Sequence, residues 1–110
     1  MNQRRVLSAI ALSLGLSMTL VPGAQANGDA AAGKLKFDTC TGCHGIPGYN
    51  NVYPTYRVPK VAGQNAAYIV AALKGYKNGN RPHKTMQSQA ISLNDQDMAD
   101  IAAYLSGLNP

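Results

Sequence analysis

The densest chemistry in this chain lies in five consecutive residues, Cys40-Thr41-Gly42-Cys43-His44. Two thiols three positions apart, with an imidazole directly after the second, match the attachment signature of a c-type haem. Each cysteine would form a thioether to one haem vinyl group, and His44, carried on the same turn, would ligate the iron from the proximal side. Other uses of the pattern fit less well. A redox-active Cys-x-x-Cys pair normally opens a helix in a βαβ setting, and no run of Val, Ile and Thr here reads as a buried parallel strand. A structural zinc site usually takes four ligands in two spaced pairs. This chain has two cysteines in all, and its other histidine, His83, stands alone.

A haem held on one side by His44 leaves the question of its second axial ligand. Beyond residue 26 only two methionines remain, Met86 and Met98. Met98 falls on the apolar stripe of the last predicted helix and reads as core. Met86 is expected in a loop between helices, where a soft thioether needs some other reason to be, and it is the favoured distal ligand. A His/Met haem is six-coordinate, low-spin and raised in reduction potential, which suits it to passing electrons. The rival is His83, three residues earlier, which would give a bis-His haem of lower potential; an open or water-ligated iron is the third arrangement. Pro59 is a candidate to present its carbonyl to the Nδ1 proton of His44, a bond that would orient the ring and raise its donor strength.

The N-terminus reads as an export signal. Arg4 and Arg5 form a positive region, Val6 to Val21 is mostly apolar, and Pro22-Gly23 precedes Ala24-Gln25-Ala26. That order is the layout of a secretory signal peptide cleaved between Ala26 and Asn27. The apolar stretch, diluted by Ser8, Ser13, Gly15, Ser17 and Thr19, falls short of the roughly twenty residues that span a bilayer. Residues 27–110 would then form one small domain. A chain of that size buries little apolar surface by itself, so the haem would supply much of the core, and without it the polypeptide is expected to be largely unfolded.

The full chain carries a net charge of +5. Of its ten Lys and Arg, Arg4 and Arg5 precede Asn27, which leaves eight against five acidic residues, or +3. The acids are Asp29, Asp38, Asp95, Asp97 and Asp100, while Arg57, Lys60, Lys74, Lys77, Arg81 and Lys84 occupy the middle without one acidic neighbour in sequence. Such lysines either solvate a helix and its loops or form a basic surface that steers docking onto an acidic partner. The modest charge and the lack of a recognition motif argue against nucleic acid.

The elements that must position these residues are helical. Asp29 to Thr39 reads as a helix capped by Asn27 or Asp29, with Gly33 tolerable inside it if another helix packs closely there and Phe37 on the same face. Gly45 to Lys60, with Pro47, Pro54 and Pro59, reads as an irregular loop around one side of the haem. Gln64 to Lys77 carries Ile69, Ala72, Leu73 and Tyr76 at helical spacing, with Lys74 and Lys77 facing outward. Tyr68 and Tyr76 are placed near the haem. A last helix, Asp95 to Ser106, has Asn94 as N-cap, Asp97 at N3 and a stripe of Met98, Ile101, Ala102 and Leu105. Ile101 and Tyr104 are its natural partners for Gly33 and Phe37.

Together these residues give the chain its resemblance to a class I mono-haem cytochrome c of the small bacterial periplasmic kind. The matching positions are Gly33 and Phe37, Cys40 to Gly45, Pro59 to Gln64, Tyr68, Leu73, Tyr76, Gly79, Met86, and Leu93 to Leu105. The resemblance implies an all-α, cytochrome c-like fold of three to four helices and long loops around one covalent haem c. It also implies thioethers at Cys40 and Cys43, axial ligands His44 and Met86, and a carbonyl contact from Pro59. Some relatives are tandem di-haem proteins; this chain, with one haem motif, is expected to be one unit. The loop Ile46 to Val58 departs from the family's pattern and leaves the partner-facing surface unassigned. The function implied is periplasmic electron transfer with redox-protein partners, such as a membrane oxidase or reductase or a periplasmic dehydrogenase, and no stable membrane span after cleavage. Alternatives are a haem subunit of a specific dehydrogenase or oxidase and, against the presence of Met86, a haem peroxidase or gas-binding protein.

Overall fold

The computed structural model describes residues 27–110; the export signal and its cleavage site fall in residues 1–26, outside them. Asp29 starts the first helix, α1 (Ala30–Phe37), its carboxylate accepting from the backbone amides of Ala31 at 2.8 Å and Ala32 at 3.2 Å. That satisfies two of the amides a helix start leaves without partners. Instead of running on to Thr39, the chain tightens after Phe37 into a 3-10 turn, Asp38–Cys40, and passes directly into a one-turn helix, α2 (Thr41–His44). The Thr41 hydroxyl donates to the Asp38 carbonyl at 2.6 Å across this junction.

The stretch from Gly45 to Lys60 is not irregular throughout. It contains a two-stranded antiparallel hairpin, β1 (Asn50–Val52) and β2 (Thr55–Arg57), with Asn50 opposite Arg57, Asn51 opposite Tyr56 and Val52 opposite Thr55. Pro54 sits in the turn, where its missing N–H removes no ladder bond. The Asn51 amide donates to the Pro54 carbonyl at 2.7 Å and the Thr55 hydroxyl to the Val52 carbonyl at 2.8 Å, closing the turn with side chains. One more bond, Val58 N–H to Tyr49 carbonyl at 3.0 Å, extends the pairing toward Pro59.

Helix α3 (Ala66–Lys77) is capped by Asn65, whose side chain accepts from Tyr68 N–H. It ends at Asn78, and Gly79 follows with φ +77°, the left-handed backbone that glycine adopts without penalty. Met86, expected in a loop, lies instead on a short helix, α4 (Lys84–Ala90). The last helix, α5 (Asp95–Ser106), carries a reciprocal capping box: Asn94 accepts from Asp97 N–H at 2.8 Å, and Asp97 accepts from Asn94 N–H at 2.9 Å.

Helices α1 and α5 cross closely, and Gly33 is the reason they can. A Cβ at that position would overlap the Asp100 carbonyl and stand 2.9 Å from Tyr104 Cβ. One turn on, the Phe37 and Tyr104 rings pack at 5.9 Å between centroids. Phe37, Ile69, Ile101, Ala102 and Leu105 form the core cluster among α1, α3 and α5, and Met98 is fully buried on α5. Among the described residues only nine apolar side chains are buried, and the segment from Thr41 to Gly63 contributes one of them, Val58. The polypeptide thus closes on itself at the terminal helices and leaves its middle without a core of its own.

Candidate haem-binding site

The cysteines and His44 come together because the chain coils tightly there. Cys40 ends the 3-10 turn and Cys43 lies three residues on within α2, a spacing that puts both thiols on one side of the turn. Cys40 is half-buried against the Phe37–Leu105 cluster and Cys43 is exposed. Burial pushes the Cys40 thiol above its ordinary pKa, and the Thr39 hydroxyl 3.8 Å from its sulfur opposes this in part. Both cysteines are free of disulfides, as thioether formation requires.

His44 Nδ1 lies 2.8 Å from the Pro59 carbonyl oxygen. A carbonyl only accepts, so Nδ1 carries the proton and Nε2 keeps its lone pair for a metal. The His44 ring adjoins a cavity of about 510 Å³ lined in part by Phe37, Ile46, Val58, Val61 and Leu105, with Arg57 and Lys60 also on its wall. Met86 lies on a separate helix, α4. It is half-buried, and its backbone amide donates to His83 Nδ1 at 3.3 Å. It lines neither the His44 cavity nor a second one, of about 440 Å³, bounded by Gly79, Pro82, His83, Lys84 and Gln87.

Cys40, Cys43, His44 and Met86 fit a covalent haem on the chemistry of the donor set: two unpaired thiols on one turn, a histidine whose Nδ1 is held by a carbonyl so that Nε2 is left for iron, and a thioether on a separate helix. Among the described residues no group of three His, Cys, Asp or Glu side chains is placed to hold a bare metal ion. An uncovered apolar side chain fits as well. Ile46, two residues past His44 and on the cavity wall, is 47% exposed, a side chain that a large apolar ring would cover.

The structure revises the reading of the basic residues. Lys74 pairs with Asp95 at 3.3 Å on the surface. Lys77, instead of facing outward, donates its ammonium to the Leu93 carbonyl at 2.5 Å. Arg81 donates to the Tyr68 hydroxyl at 3.0 Å and lies over the Tyr76 ring, 4.9 Å from its centroid. Arg57, Lys60 and Lys84 are the exposed cations that remain from that group.

In the sequence Asp100 stands out only as one of the five acids. In the structure it is buried, at 3% exposure, and ties the two terminal helices together. Its carboxylate accepts from Asp29 N–H at 2.8 Å, Lys36 Nζ at 2.6 Å and Gln96 Nε2 at 2.7 Å. Lys36 also reaches Asp97 at 2.7 Å. The Lys36 ammonium, followed by the Asp29 amide and Gln96, holds the Asp100 carboxyl down at about 2. Asp97 is lowered as well, chiefly by Lys36, while the two carboxylates, Asp100 first, raise Lys36 in turn. The signal available in sequence was the position of Asp100 between Met98 and Ile101, on the buried side of α5.

A helical shell with one Cys-x-x-Cys-His turn, its histidine held through Nδ1 by a carbonyl, has the features of a c-type cytochrome. The comparisons place it further. The family model described as Cytochrome c matches residues 30–109. Cytochrome c-554(548) of Halomonas halodenitrificans is 44% identical over 82 residues, covering 72% of this chain and 95% of its own. Cytochrome c4 of Pseudomonas aeruginosa is 40% identical over 100 residues, covering 91% of this chain and 48% of that one. The crystal structure of reduced recombinant cytochrome c4 from Pseudomonas stutzeri matches with a TM-score of 0.55 at 28% identity, over 74% of this chain and 50% of that one. The chain belongs to the cytochrome c family and holds one covalently attached c-type haem at its Cys40/Cys43 motif. It spans about half the length of the cytochrome c4 relatives it matches.

Proposed function

We propose that this protein is a periplasmic electron carrier, not an enzyme, with its haem ligated axially by His44 and Met86. The observation that carries the reading is the 2.8 Å bond from His44 Nδ1–H to the Pro59 carbonyl, which frees Nε2 and orients the ring. When bound, the haem supplies a reversible one-electron change between ferrous and ferric iron. The residues do the rest. Cys40 and Cys43 would prevent its loss, Pro59 would strengthen His44 as a donor, and the Met86 thioether would favour the reduced form. The Phe37–Leu105 cluster behind Cys40 limits water on that side.

The engagement of His83 supports Met86 over the bis-His alternative: His83 caps α4 with Nδ1 and lies edge-on to Tyr56 at 4.7 Å and Tyr76 at 6.2 Å. Export through a signal peptide cleaved after Ala26 agrees with covalent haem attachment outside the cytoplasm, and no helix among the described residues is long and apolar enough to cross a membrane. The partners are redox proteins with acidic docking faces, met by Arg57, Lys60 and Lys84. A second reading, a haem subunit bound to one dehydrogenase, is favoured by the 30% identity over 77 residues to the cytochrome subunit of sulfide dehydrogenase of Chlorobaculum tepidum. Copurification of a stoichiometric catalytic subunit would select it.

The test is an optical spectrum of the oxidised protein into the near infrared. The weak charge-transfer band of a sulfur-to-iron bond is expected in the wild type and absent in Met86→Ala. A missing band, or rapid carbon monoxide binding to the reduced wild type at neutral pH, would overturn His/Met ligation and bring an enzyme or sensor forward.

A further inference from the structure

We infer that His83 is a positioning residue for Met86 and that Tyr56 of the hairpin holds His83 in that role. The inference rests on Met86 being the distal ligand. Helix α4 has seven residues, too few to persist on propensity alone. Its start is secured by His83, in extended backbone at φ −165°, whose Nδ1 accepts the amide proton of Met86 itself, at N3. The cap therefore acts on the backbone of the candidate ligand residue. Histidine is not among the side chains that usually cap helices, and here its ring is held from the outside. Tyr56 lies edge-on to it at 4.7 Å, and the Tyr56 hydroxyl donates to Thr85 Oγ1, between His83 and Met86, at 3.1 Å. Tyr76 of α3 adds a second edge contact at 6.2 Å. His83 and Thr85, the two residues so held, both lie within the turn that leads into Met86, His83 gripped from β2 and α3 and Thr85 from β2.

A cap of this kind should appear in how readily Met86 leaves the iron. An added ligand can bind ferric haem at that position only when the thioether is off, so its apparent affinity reports the open fraction. The probe is free imidazole, titrated into the oxidised, haem-loaded full-length protein and into His83→Ala, His83→Asn and Tyr56→Phe. In His83→Ala the affinity should rise about fivefold, the equivalent of the roughly 1 kcal/mol an N-cap is worth. The reduction potential should fall as the thioether contributes less. His83→Asn, which restores a capping acceptor but has no imidazole, should lie within about twofold of wild type. Tyr56→Phe keeps the ring and loses only the Thr85 bond, so it should show a smaller rise of the same sign, and it serves as the test if His83→Ala does not fold.

Unchanged imidazole affinity in His83→Ala, with only a lower melting temperature, would overturn the positioning role. Asparagine behaving like alanine would overturn the cap as its means. The same samples separate this inference from the ligation beneath it. The near-infrared sulfur band should persist in His83→Ala at a reduced amplitude. Its absence from the wild type would remove the Met86 ligation and this inference with it.

Discussion

Replacing Gly33 with alanine sets two effects of known size against each other. In an ordinary helix interior the change stabilises by about 1 kcal/mol, because glycine loses more backbone freedom on folding. At this crossing the new Cβ would fall inside the Asp100 carbonyl and 2.9 Å from Tyr104 Cβ. Neither obstacle is the end of a flexible side chain, so α1 must withdraw from α5. Withdrawal loosens the Phe37–Tyr104 contact and stretches the bonds from Asp29 and Lys36 to Asp100. Overpacking costs about 1–3 kcal/mol where side chains can adjust, and backbone obstacles put this site at or beyond the upper end. After the propensity gain is subtracted, a net loss of about 2 kcal/mol remains, which lowers the melting temperature of a domain this size by about ten degrees. Thermal unfolding of the haem-loaded protein measures it on a single covalent species, since thioether-linked haem stays attached in both states. A melting temperature equal to or above wild type would mean that α1 and α5 do not meet at Gly33, and the account of the terminal crossing would fail.

Two further outcomes follow from the same contacts. Asp100 sits at about 2 against an ordinary 3.8, so its depressed carboxyl contributes stability that is present above about pH 4 and is lost as the pH falls through about 2. Acid unfolding followed by circular dichroism should therefore show wild type losing its advantage over Asp100→Asn across that window; a constant difference between the two would refute the assignment. Cys40→Ser combined with Cys43→Ser removes the haem, and with nine buried apolar side chains among the described residues the polypeptide should be largely unfolded by circular dichroism. A cooperative, native-like melt of that variant would show that the chain closes its core alone.

What the sequence made legible was local or periodic. Helix α5 announced itself by Asn94 and Asp97 at capping spacing and by a stripe that the structure buries, and Gly33 with Phe37 pointed correctly to a close partner carrying Ile101 and Tyr104. The Cys-x-x-Cys-His spacing is chemistry written in consecutive residues. The hairpin was not legible because its strands are three residues each, include two asparagines and turn through a proline, and Val52 and Tyr53 at its tip are 84% and 96% exposed. Strand patterning needs a buried face to register, and this hairpin offers little of one. Helix α4 was missed for a related reason: histidine at its start is not a recognised cap, and Arg81-Pro82 just before it reads as loop. The inward turn of Lys77 depends on the Leu93 carbonyl sixteen residues away, a distance over which side-chain spacing says nothing.

The least legible segment is also the one that links the two sides of the proposed iron site. Tyr56 and Pro59 are three residues apart on one strand exit. Tyr56 reaches His83 and Thr85 beside Met86, and the Pro59 carbonyl takes the proton of His44. Val58 between them is buried, and its amide is bound to Tyr49, so the exit has little freedom to let one contact shift without the other. A chain with so thin a core has few side chains available to hold axial ligands by packing, and directed hydrogen bonds do part of that work instead.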